Sequence, residues 1–170
     1  NKEDWRQDIL DEIQILNYPN FQFDFKFIEI EQENWNSTWE SNFNPIQVGE
    51  ECTVRAPFHE RPKIGFDVVI EPKMSFGTGH HETTHMMLQH ILDHGFDGKS
   101  VLDMGSGTGV LAILAAMKGA TNIDAIDVDH WCYLNATENV ERNNCTQVRV
   151  LEGNVSLLKD QKYNIILANI

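Results

Sequence analysis

The chain is short of cysteine, of basic residues and of long apolar runs, and each shortage removes a class of protein. Its 170 residues include three cysteines, Cys52, Cys132 and Cys145, far apart and with no Cys-x-x-Cys spacing. That argues against a disulfide framework or a zinc knuckle and predicts a reducing, cytoplasmic setting. No stretch of about 18 uninterrupted apolar residues exists, so no membrane-spanning helix and no membrane partner are expected. The opening residues, Asn1 to Asp8, are polar and mixed in charge, unlike a secretory signal. Thirteen lysines and arginines face 26 acids, a formal charge of −13. A protein that grips nucleic acid directly needs a basic stripe for the phosphates, and none is visible. The charge balance points to a small molecule or a basic protein as partner, although acidity also serves solubility alone. With 41% apolar and 23% charged residues the chain reads as one globular domain, or a core with a fragment of another.

Along the chain, Trp5, Ile9, Ile13 and Leu16 fall on one face at helical spacing. Phe21, Phe23, Phe25 and Phe27 then alternate with polar residues, the pattern of a half-buried strand. One helix and one strand cannot enclose a core. Residues 1–33 are therefore expected to be the remnant of an N-terminal α+β domain. Residues 34–72 read as a linker and β-hairpin: a tryptophan-bearing connector ends at Pro45, and strand-like runs cover 51–56 and 65–71. From Pro72 the pattern alternates. The spacing predicts helices at 81–93, 109–118 and 130–143, and strands at 100–104, 122–127, 146–151 and 163–168. That alternation is the mark of an open parallel sheet. The right-handed crossover rule places the second and third of these strands on one side of the first and the fourth on its other side.

The most informative segment is Val101-Leu102-Asp103-Met104-Gly105-Ser106-Gly107-Thr108-Gly109, with Asp127 closing the next apolar run. It reads as a strand, a glycine turn, a helix and a second strand ending in an acid. Glycines let the backbone pass beneath a flat ligand, and the acid holds the two hydroxyls of a ribose. A dinucleotide site wants glycine or alanine at the position of Val110, and a P-loop wants Gly-Lys-Ser/Thr, which is absent. The spacing Asp-x-Gly-x-Gly-x-Gly resembles instead the first motif of S-adenosylmethionine-dependent methyltransferases. Such a cofactor has no pyrophosphate, but its amino-acid end carries an ammonium that Asp103 could attract, directly or through water.

A second motif competes. His81-Glu82-Thr83-Thr84-His85 is a literal H-E-x-x-H, which on a helix binds zinc with the glutamate as general base. The third ligand is missing: the metzincin glycine and histidine positions hold Leu88 and Ile91. No metal site is expected.

Several segments together resemble the ribosomal protein L-eleven methyltransferase family, PrmA. Asn34-Trp35-Asn36-Ser37-Thr38-Trp39, then Phe43-x-Pro45-Ile46 and Gly49, are similar to its linker. Phe76-Gly77-Thr78-Gly79-His80 with Thr83-Thr84 resembles its F-G-T-G-x-H-x-T-T segment, which accounts for the zinc-like motif. Leu167-Ala168-Asn169-Ile170 resembles its A-N-I at the end of the fourth strand. The resemblance covers roughly residues 34–170. It implies a Rossmann-like class I methyltransferase sheet of the α/β class, truncated at its C-terminal end because such sheets have about seven strands, preceded by part of a small substrate-recognition domain.

By that resemblance Thr84, Gly105, Asp127 and Asn169 are the cofactor-binding residues, with Gly107 and Thr78 as additional contacts. Ser106 stands where cysteine is commoner, and Asn154 where many such folds place an aspartate against the adenine amino group. The implied reaction is methyl transfer from S-adenosyl-L-methionine to N-terminal and lysine amines of ribosomal protein L-eleven by a monomeric enzyme. In it Asn169 is the catalytic residue, its amide oxygen orienting the amine. A methyltransferase for another protein or a small molecule, a non-catalytic binding fragment and, more remotely, a zinc metalloprotease are the alternatives.

Overall fold

The computed structural model describes residues 44–73, 77–159 and 161–170. The helix and strand expected within residues 1–33, the linker tryptophans and Phe76 lie outside the described residues.

The first sheet has three short strands, β1 (Ile46–Val48), β2 (Cys52–Arg55) and β3 (Phe66–Val69), in the order β1-β2-β3. β1 and β2 form an antiparallel hairpin through Gly49, whose φ of +56 suits a tight turn. β2 and β3 are parallel, with Val54 opposite Val68. The runs expected at 51–56 and 65–71 are therefore not the two arms of a hairpin. The hairpin arm is β1, inside the stretch read as connector. Gly65 explains the pairing: its backbone lies against the Glu51 carbonyl, where a Cβ would collide, and the next N–H, from Phe66, donates to that carbonyl at 2.7 Å.

The second sheet is fully parallel, in the order β6-β5-β4-β7, with β4 Ser100–Met104, β5 Asn122–Asp127, β6 Val148–Glu152 and β7 Ile165–Ala168. Asp103 lies opposite Ala125 on one side and Leu167 on the other. The chain moves outward from β4 to β5 to β6, then returns to β7 on the far side of β4, as the crossover rule requires. The order reverses at β4, so a crevice opens beyond its carboxyl end.

Three helices connect these strands: α1 (Glu82–Asp93), α2 (Val110–Met117) and α3 (His130–Arg142). α2 is apolar on every side, and Val110 to Ala116 are all buried. Such a helix is stable only when enclosed. It packs against α1, α3, β3 and the large sheet, with Val101, Ile123, Ala125 and Leu167 among the buried residues of the same core.

Two asparagines four residues apart and hence on one face, Asn139 in α3 and Asn143 at its C-terminal cap, fasten the small sheet to the large one. Asn143 accepts from the Val69 N–H at 2.9 Å and donates to the Val69 carbonyl at 2.7 Å. Asn139, fully buried, accepts from the Glu71 N–H at 2.8 Å and donates to the Thr108 carbonyl at 3.0 Å. The end of β3, the glycine turn and α3 are thus held by one side chain.

Candidate functional site

The cleft at the carboxyl end of β4 has a volume of about 380 Å³, and Thr84, Gly105, Gly107, Asp127 and Asn169 all line it. Five of the six residues expected to hold a cofactor thus meet in one crevice, drawn from α1, the β4–α2 turn, β5 and the segment after β7. The sixth, Thr78, is not among the lining residues; its hydroxyl lies 3.2 Å from His80 Nδ1. Its neighbour Gly77 lines the cleft instead, and the Gly77 carbonyl accepts from the Thr108 hydroxyl at 2.6 Å. That bond ties the glycine loop before α1 to the turn after β4.

The turn is built from glycines in the left-handed region. Gly105, Gly107 and Gly109 have φ of 70, 55 and 77, which a side chain strains. The N–H groups of Gly105 and Ser106 both donate to the Ile126 carbonyl, at 2.8 and 3.1 Å. A Cβ at Gly105 would collide with the Ile170 side chain.

Asp127 is oriented by its own surroundings. Its Oδ2 accepts from the Gly107 N–H at 2.8 Å and its Oδ1 from the Asp129 N–H at 3.0 Å. Each oxygen keeps further acceptor capacity, so a rigid, half-buried carboxylate faces the cleft beside the glycines. On the other wall, Asn169 Nδ2 donates to Thr84 Oγ1 at 3.2 Å, and Thr84 is buried. This bond fixes which end of the Asn169 amide is engaged: the nitrogen is held and the oxygen is left to accept.

Asp103 does not line the cleft and is only 1% exposed. Its Oδ2 accepts from the Ala112 N–H at 3.0 Å, which is the third residue of α2. The N-cap of that helix, Gly109, has no side chain for the task, so the strand supplies the acceptor that the cap lacks. Burial pushes the Asp103 carboxyl up to about 7; the Ala112 N–H pulls it back and the Asp127 charge adds to the rise.

A testable consequence follows from the sign of that shift. An unfolded aspartate titrates near about 3.9, so between about pH 4 and pH 7 the folded chain holds a proton that the unfolded chain has lost. Stability from this group is then full below about pH 4 and declines as pH rises through about 7. Asp103→Asn keeps an acceptor for Ala112 and removes the titration. The melting temperature of the variant should gain on that of the unsubstituted protein from about pH 4 to about pH 7 and level off above it. A gap that does not change with pH would remove Asp103 as the titrating group.

The histidines of the H-E-x-x-H stretch have separate settings. His81 is the N-cap of α1 rather than part of it; its Nδ1 accepts from the Thr83 N–H at 3.3 Å and lies 2.8 Å from the Thr83 hydroxyl. Among the described residues no group of three or more histidines, cysteines or acids is placed to hold a metal. Asn154 also differs from expectation. Its Oδ1 caps a short 3-10 turn, Val155–Leu157, accepting from the Ser156 N–H at 2.9 Å, and it is not among the residues lining the cleft.

The sequence reading missed the apolar wall. Val128, 72% exposed, and Cys132 both line the cleft next to Asp127, offering a flat ring a surface to lie on. The one available signal was an apolar residue directly after the strand-ending acid, where a loop residue is usually polar.

Comparison with known proteins follows the same lines. The family profile described as "Ribosomal protein L11 methyltransferase (PrmA)" matches residues 1–170. A protein of Bacteroides fragilis with the name "Ribosomal protein L11 methyltransferase" is 44% identical over 155 residues, covering 89% of this chain and 55% of that protein. One of the same name from Porphyromonas gingivalis is 49% identical over 140 residues, covering 81% of this chain and 48% of that one. The chain therefore spans about half the length of the curated relatives it matches. The crystal structure of a ribosomal protein L11 methylase from Lactobacillus delbrueckii subsp. bulgaricus superposes with a TM-score of 0.64 at 26% identity, covering 75% of this chain and 67% of that one. The parallel Rossmann-like sheet, the glycine turn and the match along the whole chain agree, and the chain belongs to the ribosomal protein L11 methyltransferase family.

Proposed function

We propose that this chain is part of a protein N-methyltransferase that uses S-adenosyl-L-methionine to methylate N-terminal and lysine amines of ribosomal protein L11. The observation that carries the reading is the pairing of two fixed groups across one cleft. The Asp127 carboxylate is held by the Gly107 and Asp129 N–H groups, and the Asn169 amide is held by Thr84. The names of the relatives supply the substrate. The residues present fit the cofactor: a rigid acid suits a ribose diol, the left-handed glycines allow close approach, and Val128 offers an apolar face to the base.

In this mechanism Asp127 accepts from the ribose hydroxyls, while Gly105 and Gly107 admit the ligand against the backbone. Thr84 and Asn169 form the wall facing the reacting end. When bound, the cofactor supplies an electrophilic methyl group on a positively charged sulfur. The Asn169 Oδ1 accepts a hydrogen bond from the incoming amine and aims its lone pair. An amide oxygen is no general base, so the amine must arrive neutral. An α-amine, with a pKa near about 8, does so more readily than a lysine near about 10.4. The apolar wall of Val110 and Leu111 disfavours the ammonium form next to the site.

The same reading assigns residues 1–33 to an N-terminal substrate-recognition domain, 34–72 to a linking segment and 73–170 to the methyltransferase core. It makes the enzyme a cytoplasmic monomer with no direct nucleic-acid or membrane partner; among the described residues no helix is long and apolar enough to cross a membrane. Calorimetric titration with S-adenosyl-L-methionine, followed by transfer of a radiolabelled methyl group to ribosomal protein L11, tests both halves. Cofactor binding with no label on L11 in the full-length enzyme would overturn the substrate. No binding at all would overturn the cofactor.

A further inference from the structure

A second hollow lies along α3. Trp131, Leu134, Asn135 and Glu138 are spaced three and four residues apart, so they form one stripe on that helix. With Lys73 and Asp129 they line a cavity of about 670 Å³. Cys132 lines this cavity and the cofactor cleft alike, so the two adjoin. A helix of a packed domain turns its large apolar residues inward, yet Trp131 is 73% exposed and Leu134 is exposed beside it. An indole standing open at a cavity is a natural anchor for a partner.

The polar floor of the cavity says more. Asn135 is buried, only 1% exposed, and its Nδ2 has no hydrogen-bond partner. Its neighbours fix which way the amide faces. The Glu71 N–H donates to Asn139 Oδ1 at 2.8 Å, which leaves Asn139 Nδ2 to donate to Asn135 Oδ1 at 3.1 Å. Asn135 therefore turns its oxygen to Asn139 and keeps its nitrogen for another acceptor. A buried donor left unmade is destabilising, and the carbonyl of a peptide satisfies it.

The charges at the rim select among peptides. Glu138 is paired with Lys73 at 2.5 Å. Asp129, the N-cap of α3, is exposed two positions before Trp131. The Cys132 N–H holds its carboxyl below the usual carboxylate range, so it is charged at every physiological pH. An indole face with a carboxylate next to it suits a lysine or arginine side chain, the cation lying over the ring. The net charge of −13 adds a field of the same sign.

Resting on the protein-methyltransferase reading above, we propose that this cavity docks a basic segment of the protein substrate, apart from the amine that is modified. A lysine or arginine side chain lies on Trp131 near Asp129, and a backbone carbonyl accepts from Asn135 Nδ2. The polypeptide is then held beside the cofactor cleft while a neighbouring amine enters it.

The test is steady-state methyl transfer to ribosomal protein L11 by the full-length enzyme, with KM and kcat read separately. Trp131→Ala should raise KM about tenfold and leave kcat within about twofold, the signature of lost binding that is uniform along the reaction. Affinity for S-adenosylhomocysteine should not change. Trp131→Phe keeps an aromatic face and should recover most of the loss. Trp131→Lys should exceed Trp131→Ala, because a cation there repels a basic segment. Asn135→Ala should raise KM by a smaller factor; since Asn135 also bonds within α3, the exposed Trp131 series decides if that variant fails to fold. An unchanged KM in Trp131→Ala, or a fall in kcat in its place, would overturn the docking site. Trp131→Lys no worse than Trp131→Ala would overturn a basic occupant. No transfer to L11 by the unsubstituted enzyme is a different result: it overturns the substrate reading and the docking site with it.

Discussion

Gly105→Val is expected to abolish measurable binding of S-adenosyl-L-methionine in a protein that still folds its sheet. Gly105 has φ of +70 and donates its N–H to the Ile126 carbonyl at 2.8 Å. A residue with a Cβ pays roughly 1–2 kcal/mol in this region, and a β-branched one is disfavoured further. A Cβ would also meet the Ile170 side chain inside the cleft. The turn must therefore move, and with it the Gly107 N–H that holds Asp127 Oδ2. Strain and lost orientation add, so a decrease beyond a hundredfold is expected. Asp127→Ala should act on the same binding by a separate route. It removes the charged acceptor of the ribose hydroxyls, at about 1.5–3 kcal/mol for each hydrogen bond lost. Titration calorimetry on both variants, with circular dichroism to establish the fold, checks the pair. Unchanged affinity in folded Asp127→Ala would reject the ribose role. Tight binding in folded Gly105→Val would reject the close approach of the ligand to the turn.

The sequence displayed the parts of this site that rest on local chemistry. β4 and β5 were legible to the residue because each is a short apolar run bounded by polar or glycine residues, and both are buried within one parallel sheet. Strand order followed from handedness alone. β6 and β7 begin later than expected because local bonds take their first residues. The Thr146 N–H closes a turn onto the Asn144 carbonyl, and the Asn164 side chain turns back to accept from the Ser100 N–H.

What was not legible depends on contacts between distant side chains and backbone. Asn143 reaches Val69 across 74 positions and Asn139 reaches Glu71 across 68. Asparagines on a helix surface give no sign of that. The parallel pairing of β2 with β3 hides for a related reason: both strands read the same whichever direction they run, and only the Gly65–Glu51 approach decides. Asp103 was read as a ligand group because its place in the motif is shared with the glycines. Its direction is set by strand alternation, which turns it toward α2 and away from the cleft. Thr78, in the loop before α1, does not line the cleft. One residue along the loop, Gly77 carries the carbonyl that meets Thr108.

Asn169→Ala in the full-length enzyme is expected to slow methyl transfer to ribosomal protein L11 by about a hundredfold, the scale of a lost positioning contact. Its effect on cofactor affinity should be smaller, because an interaction that aims the reacting atom appears in the rate of the chemical step. Thr84→Val should show a weaker version of the same defect. Valine leaves the Asn169 Nδ2 without the hydroxyl that it donates to at 3.2 Å, and the amide is then free to turn. Asn169→Asp is the sharper variant. The carboxylate still accepts a hydrogen bond but favours the charged ammonium, which has no lone pair to attack with. Its single-turnover rate should be low at pH 7 and climb toward that of the unsubstituted enzyme by pH 10, with a larger relative recovery on the α-amine than on a lysine substrate, whose higher pKa keeps it protonated across that range. The comparison needs both substrates, since their pKa values differ by about two units. Wild-type rates in Asn169→Ala would take the residue out of the mechanism, and a pH-independent defect in Asn169→Asp would mean that the amide acts by shape and not by orienting the amine.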